Sequence, residues 1–448
     1  MGRLQLRSDF EQEAASEPAM KRERDEQYGF ETRMIHAGSS PEPVTGARQT
    51  PIYQNTSYVF HDVDQAASLF NLQAFGFVYS RLANPTVAAL EERLASLEGG
   101  RGGTCCATGH AAQVLVFFAF MEPGDRFVAS EKLYGGSITQ FGKTFQKFGW
   151  QVEFVDVDDV EKVRRVLGND AKALFVESLA NPGGVVSDLE VLAEVAADAR
   201  VPLIVDNTLA TPSLCRPIDW GADLVVHSTT KFLSGNGTSM GGAVIDSGLF
   251  DWAAGGRYGG LTEPEAAYHG LRFWETFGDL AFTTHAHAVG LRDLGATMAP
   301  MNAFQTLLGC ETLSLRMERH CRNALQVARY LDGHPQVDWV SYAGLPASPY
   351  FERASKYLPD GAGSVFTIGL SGGFEAGVRL VESVELFSHL ANVGDAKSLI
   401  LHPGSTTHRQ LSDEQRDAAG AGNEVVRLSI GLETVDDLIR DLDRALDR

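Results

Sequence analysis

The sequence predicts an α/β fold built on a mostly parallel sheet, and three observations support this prediction. Short apolar runs alternate with longer amphipathic stretches from Asp125 onward, which is the pattern of βαβ units. The apolar runs show no polar alternation, as expected of strands covered on both faces. The chain of 448 residues, 44% of them hydrophobic and 21% charged, is long enough for a large core. We therefore expect the functional residues to lie beyond the carboxyl ends of the strands, where such sheets bind ligands.

The elements divide the chain into four parts. Residues 1–28 mix acidic and basic side chains without an apolar signal region, so we expect a disordered arm. Residues 29–85 are rich in turn-forming residues and predict an extended segment. The strands predicted for a large domain over residues 86–299 lie at 126–129, 151–155, 173–176, 201–205 and 223–226. A long helix after Leu313 and a strand at 365–370 predict a smaller α+β domain over residues 300–448.

Charge, hydropathy and the spacing of cysteines and histidines argue against several kinds of partner and binding site. The formal net charge of −20 argues against nucleic acid or an anionic membrane as the main partner, because both attract basic surfaces. No apolar stretch reaches the roughly 18 residues of a membrane helix. The five cysteines lack metal-binding spacing, so we expect reduced thiols in a cytoplasmic protein. His285 and His287 have no cysteine or acidic cluster beside them, so we expect no metal site.

Asp206 ends an apolar strand in the run VPLIVDNT at 201–208. A carboxylate at the mouth of a parallel sheet can hold a cationic group, such as a protonated ring nitrogen. An aspartate after a strand also commonly caps a turn, so this residue alone leaves both interpretations open.

Lys231 follows a second buried run, DLVVHSTTK at 223–231, and precedes flexible, glycine-rich chain. Most lysines are surface charges. An amine that is partly removed from water has a lowered pKa, however, and can form a Schiff base with an aldehyde. The hydroxyls of Ser228 and Thr230 just before it could bind phosphate oxygens.

A third feature is the turn ATGHAA at 107–112, which precedes the apolar run 114–120. A glycine-containing turn at a helix N-terminus presents free N–H groups to an anion, although Gly109 is equally compatible with an ordinary turn. An anion cradle, a strand-end carboxylate and a strand-end lysine together meet the needs of pyridoxal phosphate (PLP).

With these three features the chain resembles the Cys/Met-metabolism family of PLP-dependent enzymes, a branch of the aspartate aminotransferase fold (fold type I). The resemblance runs from about Thr32 to the C-terminus, and its most specific motif is HSTTKFLSGNGT at 227–238. It is strongest to the O-acetylhomoserine sulfhydrylase branch. The motifs that carry this finer resemblance are TRMIHAG at 32–38, TGARQTPIYQNTSYVF at 45–60, FGFVYSRLANPT at 75–86 and NVGDAKSLILHPGSTTH at 392–408.

The resemblance implies roles for individual residues. Lys231 would be the Schiff-base lysine and proton shuttle, Asp206 would pair with the ring nitrogen, and Tyr134 would stack on the ring and assist catalysis. Arg427 would bind the substrate carboxylate. Further contacts are expected from Gly109, His110, Asn181, Thr208, Ser228 and Thr230 to the cofactor, from Ser398 to the substrate, and from Tyr79 and Arg81 of a neighbouring subunit, with Tyr79 also reaching the substrate.

Two positions depart from the pattern of related enzymes. The phosphate loop, commonly SerGlyGln in the sulfhydrylases, reads Thr108-Gly109-His110. Because its contacts are mainly from the backbone, we expect phosphate binding to survive. Gly136 stands where methionine γ-lyases usually carry cysteine, which favours a synthase over a lyase.

The resemblance implies a transferase that converts O-acetylhomoserine and sulfide to homocysteine and acetate, a step of methionine biosynthesis by direct sulfhydrylation. It also implies a homodimer or homotetramer with shared active sites. Methionine γ-lyase and cystathionine γ-synthase share every cofactor residue and remain alternatives, as do a succinyl ester or methanethiol as reactant. A catalytically inactive homologue that acts as a binding protein is an alternative of a different class.

Overall fold

The computed structural model describes residues 27–180, 184–406 and 422–447. Its larger sheet has seven strands, all between residues 102 and 246. They are β1 (Gly102–Cys106), β2 (Arg126–Ser130), β3 (Gln151–Val155), β4 (Ala171–Glu177), β5 (Leu203–Asp206), β6 (Leu224–His227) and β7 (Gly242–Asp246).

The larger sheet is mostly parallel, which confirms the predicted fold class. Its strand order is β1-β7-β6-β5-β4-β2-β3, and only β7 runs antiparallel to its neighbours. Both faces are buried, since Leu203 and Val205 belong to one apolar cluster and Ile204 to the other. The carboxyl ends of β4, β5 and β6 therefore meet at one edge of a fully covered sheet.

Local signals explain where individual helices begin and end. The helix Pro85–Glu98 begins after Asn84, whose side chain accepts the Thr86 N–H, and ends at Gly99 with a φ of +78°. The α-helices are Phe30–His36, Val63–Phe70, Pro85–Glu98, Gly109–Phe118, Gly135–Thr139, Val160–Leu167, Leu189–Ala199, Thr211–Leu214, Gly259–Thr262, Phe273–Phe277, Ala281–His285, Arg292–Leu294, Pro300–Cys310, Leu313–Asp332, Phe351–Tyr357, Gly373–Ser383 and Val435–Leu446. Short 3₁₀ turns lie at Phe145–Phe148, Pro217–Trp220, Ala254–Gly256, Ala266–Tyr268, Gly278–Leu280 and Pro403–Ser405, and π-helical turns at Gln140–Thr144 and Ala286–Leu291.

A second, smaller sheet follows the long helix Leu313–Asp332. Its strands are β8 (Val337–Ser341), β9 (Val365–Leu370), β10 (Ser388–His389), β11 (Leu399–Leu401) and β12 (Val425–Ser429). They are ordered β10-β11-β12-β9-β8, and all pairs except β10–β11 are antiparallel. This sheet bears on the candidate site because β12 carries Arg427, which the resemblance assigns to the substrate carboxylate.

The segment before the larger sheet is less regular. Two helices, Phe30–His36 and Val63–Phe70, interrupt the part predicted as extended. The predicted disordered arm lies outside the described residues, apart from its last two positions. The proposed domain boundaries at residues 85 and 299 remain predictions. Across the described ranges, no helix is long and apolar enough to cross a membrane.

Candidate active site

A cavity of about 300 Å³ lies beyond the carboxyl ends of β4, β5 and β6. The described lining includes nine residues predicted from the sequence: Gly109, His110, Tyr134, Asp206, Thr208, Ser228, Thr230, Lys231 and Arg427. Residues from the helix Gly109–Phe118 and from both sheets thus converge on one space. Their roles as ligands remain predictions, but the structure brings them together.

One end of the cavity has the donors of an anion site. The helix Gly109–Phe118 begins there after Thr108, whose hydroxyl accepts the Ala111 N–H at 3.0 Å. A Cβ at Gly109 would lie 2.8 Å from the Cβ of Ser228, so only glycine lets the helix N-terminus approach Ser228 this closely. The Ser228 N–H is held by the Thr208 hydroxyl at 2.8 Å. A helix N-terminus beside these hydroxyls suits a phosphate.

Asp206, the last residue of β5, places a buried carboxyl in the cavity. Its Oδ1 accepts the Thr208 N–H at 3.0 Å. Burial raises the pKa of Asp206, whereas the hydrogen bonds from Thr208 and the nearby His227 and His110 lower it. A carboxylate in this environment is stabilised by a cationic partner. Both interpretations of the sequence therefore apply, because Asp206 caps a turn and also faces the cavity.

Lys231 follows β6 and extends its amine into the same space. Its Nζ donates a hydrogen bond to Asn392 Oδ1 at 2.5 Å. Burial, with a smaller contribution from the positive charge of Arg427, lowers the pKa of Lys231 from 10.5 to about 8. A much larger fraction of this amine is therefore neutral, and nucleophilic, at physiological pH than in an exposed lysine.

Arg427 approaches the cavity from the smaller sheet. It is only 9% exposed, and its Nη2 donates to the Asn392 carbonyl oxygen at 3.1 Å. Burial lowers the pKa of Arg427 to about 10, which still leaves the guanidinium charged at neutral pH. A buried guanidinium on a cavity wall suits a carboxylate ligand.

Tyr134 and His110 form an aromatic wall of the cavity. Their ring centroids are 5.9 Å apart, and Tyr134 is 47% exposed. The Tyr134 N–H donates to Glu177 Oε1 at 2.6 Å. Burial lowers the pKa of the His110 imidazole, and the charge of Asp206 opposes this effect. A flat ring bound against this wall would be in contact with aromatic side chains.

Three predicted residues lie elsewhere, and a fourth falls outside the part of the chain that the structure describes. The buried Ser398 does not line the cavity: its hydroxyl donates to Glu433 Oε2 at 2.9 Å and accepts the Gly431 N–H at 2.8 Å. Tyr79 and Arg81 also lie outside the lining, with the Arg81 guanidinium 5.4 Å from the Tyr79 ring centre and donating to the Arg292 carbonyl. Asn181 falls outside the described residues. The ligand roles of all four remain predictions.

Sequence reasoning missed several lining residues, namely Gln113, Glu177, Met240 and Asn392. Glu177 was detectable, because it immediately follows the predicted strand 173–176 and strand ends supply ligands in this architecture. Asn392 lies in irregular chain, and no periodic pattern marks it. Over the described ranges, no group of three or more His, Cys, Asp or Glu residues is placed to hold a metal ion.

The residues of the cavity fit pyridoxal phosphate. The close approach of Gly109 to Ser228 leaves no room for a side chain and places a helix N-terminus beside Ser228, an arrangement that suits a phosphate. Asp206 supplies the buried carboxylate that a protonated ring nitrogen needs, and Lys231 supplies an amine with a lowered pKa for the aldehyde. These groups share one space with the buried cation of Arg427, whose charge suits a substrate carboxylate.

Comparisons with known proteins agree with this fit. Residues 31–447 match the family described as Cys/Met metabolism PLP-dependent enzyme. The chain is 49% identical to O-acetyl-L-homoserine sulfhydrylase 1 of Thermus thermophilus, over 93% of this chain and 99% of that protein. It is 46% identical to O-acetyl-L-homoserine sulfhydrylase of Leptospira meyeri, over 93% of this chain and 96% of that protein.

A solved structure is similar over nearly the whole chain. It is described as an O-acetylhomoserine (thiol)-lyase from Campylobacter jejuni and contains N'-pyridoxyl-lysine-5'-monophosphate. The TM-score is 0.91 at 39% identity, covering 94% of this chain and all of that one.

Proposed function

Because the chain belongs to the family of Cys/Met metabolism PLP-dependent enzymes, we propose that it is a transferase converting O-acetylhomoserine and sulfide to homocysteine and acetate. One observation carries the proposal: Lys231, Asp206 and Arg427 line a single cavity, with the amine of Lys231 at a lowered pKa. Relatives named as O-acetylhomoserine sulfhydrylases over almost their full length support the substrate.

The cofactor is assigned to the residues whose chemistry matches each of its parts. The N-terminus of the helix Gly109–Phe118 and the hydroxyls of Ser228 and Thr230 would hold the phosphate, and Asp206 would hold the proton on the ring nitrogen. Bound pyridoxal phosphate supplies an aldehyde that takes an amine and a ring that accepts an electron pair from the substrate Cα.

The protein side chains perform the remaining tasks. Lys231 Nζ would take the proton from the substrate Cα and later return it. Arg427 binds the substrate carboxylate and so fixes which Cα bond faces Lys231. In the overall reaction, the Cγ–oxygen bond breaks with loss of acetate, and sulfide forms the new Cγ–sulfur bond. Asn392 contacts both Lys231 and Arg427, so it links the proton-transfer group to the substrate-orienting group.

Gly136 favours this reaction over a γ-lyase reaction. A Cβ at position 136 would lie 2.4 Å from Tyr134 Cε1, so any side chain there would force the Tyr134 ring to move. The cysteine usual in methionine γ-lyases is therefore excluded while the ring keeps its place.

The proposal extends to assembly and location. Apolar side chains stand exposed along the segment before the larger sheet, with Val44 88%, Val59 97% and Phe75 75% exposed. A second copy of the chain would cover them and bring Tyr79 and Arg81 to a neighbouring cavity, as a homodimer or a homotetramer. The five cysteines are buried and unpaired with one another, which agrees with a reducing, cytoplasmic setting.

The test is a product assay on the purified holoenzyme. With O-acetylhomoserine and sulfide we expect homocysteine and acetate in equal amounts, and without sulfide little 2-oxobutyrate. O-succinylhomoserine and methanethiol serve as comparison reactants. The proposal fails if 2-oxobutyrate is the main product in the presence of sulfide, or if no amino-acid ester is consumed.

A further inference from the structure

Two neighbouring strand ends present carboxyl groups to the cavity. Glu177 ends β4 and Asp206 ends β5, and the two residues are paired in register. Glu177 is 5% exposed and lines the cavity. Whereas Asp206 faces the cofactor position, Glu177 Oε1 accepts the Tyr134 N–H at 2.6 Å. The side chain of Glu177 therefore reaches from the sheet to the backbone of the aromatic wall.

Tyr134 is restrained on its carbonyl side, where its oxygen accepts the Ser137 and Ile138 N–H groups at 2.8 and 3.1 Å. It precedes Gly135 and Gly136 and the five-residue helix Gly135–Thr139, whose N-terminus has no side-chain cap. Glycine pairs allow many backbone conformations. The hydrogen bond to Glu177 adds the restraint on the amide side of Tyr134, from whose backbone the half-exposed ring projects.

The position of the Tyr134 ring also depends on its neighbours Gly136 and His110. The absence of a Cβ at Gly136 leaves the space in which the edge of the Tyr134 ring lies, and the His110 Cε1 atom is 3.0 Å from that same Cβ position. A small displacement of the Tyr134 backbone would therefore carry the ring out of this slot. The position of the Tyr134 ring therefore depends on the hydrogen bond between the Tyr134 N–H and Glu177.

We propose that Glu177 is a positioning residue that holds the Tyr134 ring in place for stacking on the cofactor. The proposal rests on the stacking role proposed above for Tyr134. Glu177 then acts on cofactor affinity only through Tyr134, while Asp206, one strand away, acts on the ring nitrogen directly. The end of β4 would thus act on one face of the bound ring through Tyr134, and the end of β5 would act on the ring nitrogen through Asp206.

The experiment measures PLP binding to the cofactor-free protein. Glu177→Gln keeps an acceptor oxygen of the same reach, Glu177→Met removes it, and Glu177→Asp draws it back by one methylene. We expect Glu177→Met to weaken PLP binding about tenfold, which is the size of an aromatic stacking contribution. Glu177→Gln should stay within about threefold of wild type, and Glu177→Asp should fall between Glu177→Gln and Glu177→Met.

A double-variant comparison separates positioning from general structural damage. Tyr134→Ala should itself weaken PLP binding about tenfold, and adding Glu177→Met to it should bring no further loss. The visible circular dichroism of the bound cofactor should fall alike in Glu177→Met and Tyr134→Ala, because both alter the contacts to one face of the ring. Thermal unfolding of the cofactor-free variants checks folding, and Glu177→Asp carries the test if Glu177→Met fails to fold.

Three outcomes overturn the inference. Wild-type affinity in both Glu177→Asp and Glu177→Met would show that the hydrogen bond does not place the ring. Additive losses in the double variant would show that Glu177 acts independently of Tyr134. Unchanged binding in Tyr134→Ala would remove the stacking role and the inference with it. Failure of the proposed sulfhydrylase reaction is recorded separately, since these measurements need no substrate.

Discussion

The lowered pKa of Lys231 predicts that replacing this lysine stabilises the cofactor-free protein. The ordinary lysine pKa of 10.5 falls to about 8 at this site, chiefly through burial. Between these two values the unfolded chain binds more protons than the folded one, so wild-type stability rises with pH in that window. Below about pH 8 the folded protein carries the whole penalty of a buried ammonium.

The size of the effect follows from the shift. A difference of about 2.5 pKa units corresponds to about 3 kcal/mol of folding free energy at neutral pH. Lys231→Met removes this penalty but also the hydrogen bond to Asn392, which offsets about 1–2 kcal/mol. We therefore expect the variant to exceed wild type by about 1–2 kcal/mol at pH 7. The difference should decrease by about 2–3 kcal/mol between pH 7 and pH 10, whatever the hydrogen bond contributes.

The assay is urea unfolding of both proteins, stripped of cofactor, at several pH values and one protein concentration. Lys147, whose side chain is exposed, provides the matched control as Lys147→Met. A stability difference between Lys231→Met and wild type that does not change from pH 7 to pH 10 would refute the reasoning. It would mean that the Lys231 amine is not held away from water.

Three further predictions concern the other site residues. Arg427→Lys should raise KM for the amino-acid substrate at least tenfold with an unchanged cofactor spectrum, because the planar guanidinium matches a carboxylate and an ammonium does not. The surface variant Arg440→Lys is its control. Unaltered kinetics in Arg427→Lys would assign Arg427 to structure alone. Asp206→Asn should lower kcat about a hundredfold or more, since an amide does not hold the ring nitrogen protonated; a rate near wild type would exclude that role. Mixed oligomers of inactive Arg81→Ala and inactive Lys231→Ala, formed by subunit exchange, should regain part of the activity, whereas no recovery in verified mixed oligomers would place Arg81 outside a shared site.

Much of the larger sheet could be predicted from the sequence because its central strands are continuous apolar runs. The predicted strands 151–155 and 201–205 overlap β3 and β5 closely. The strand β1 was missed because it begins with two glycines, which disfavour strands. Those glycines reflect packing: a Cβ at Gly103 would lie 2.8 Å from the backbone oxygen of Glu91. Nothing local in the sequence encodes that contact.

The candidate site also contains residues that could be predicted from the sequence and residues that could not. Asp206 and Lys231 could be predicted because each follows a strand whose end faces the ligand edge. Asn392 could not, because its place beside Lys231 depends on how the smaller sheet packs against the larger one. Ser398 is near Asn392 in sequence, yet it points to Glu433 instead of the cavity. The spacing of residues in irregular chain does not determine which of them faces a ligand.

The central claim is that Lys231 carries the cofactor in this cavity. Borohydride reduction of the purified holoenzyme, followed by proteolysis and mass spectrometry, tests it most directly. We predict one pyridoxyl-modified peptide, containing Lys231, and no modified peptide from Lys231→Ala treated in the same way. A pyridoxyl group on any other lysine of the wild-type protein, with Lys231 unmodified, would contradict the account.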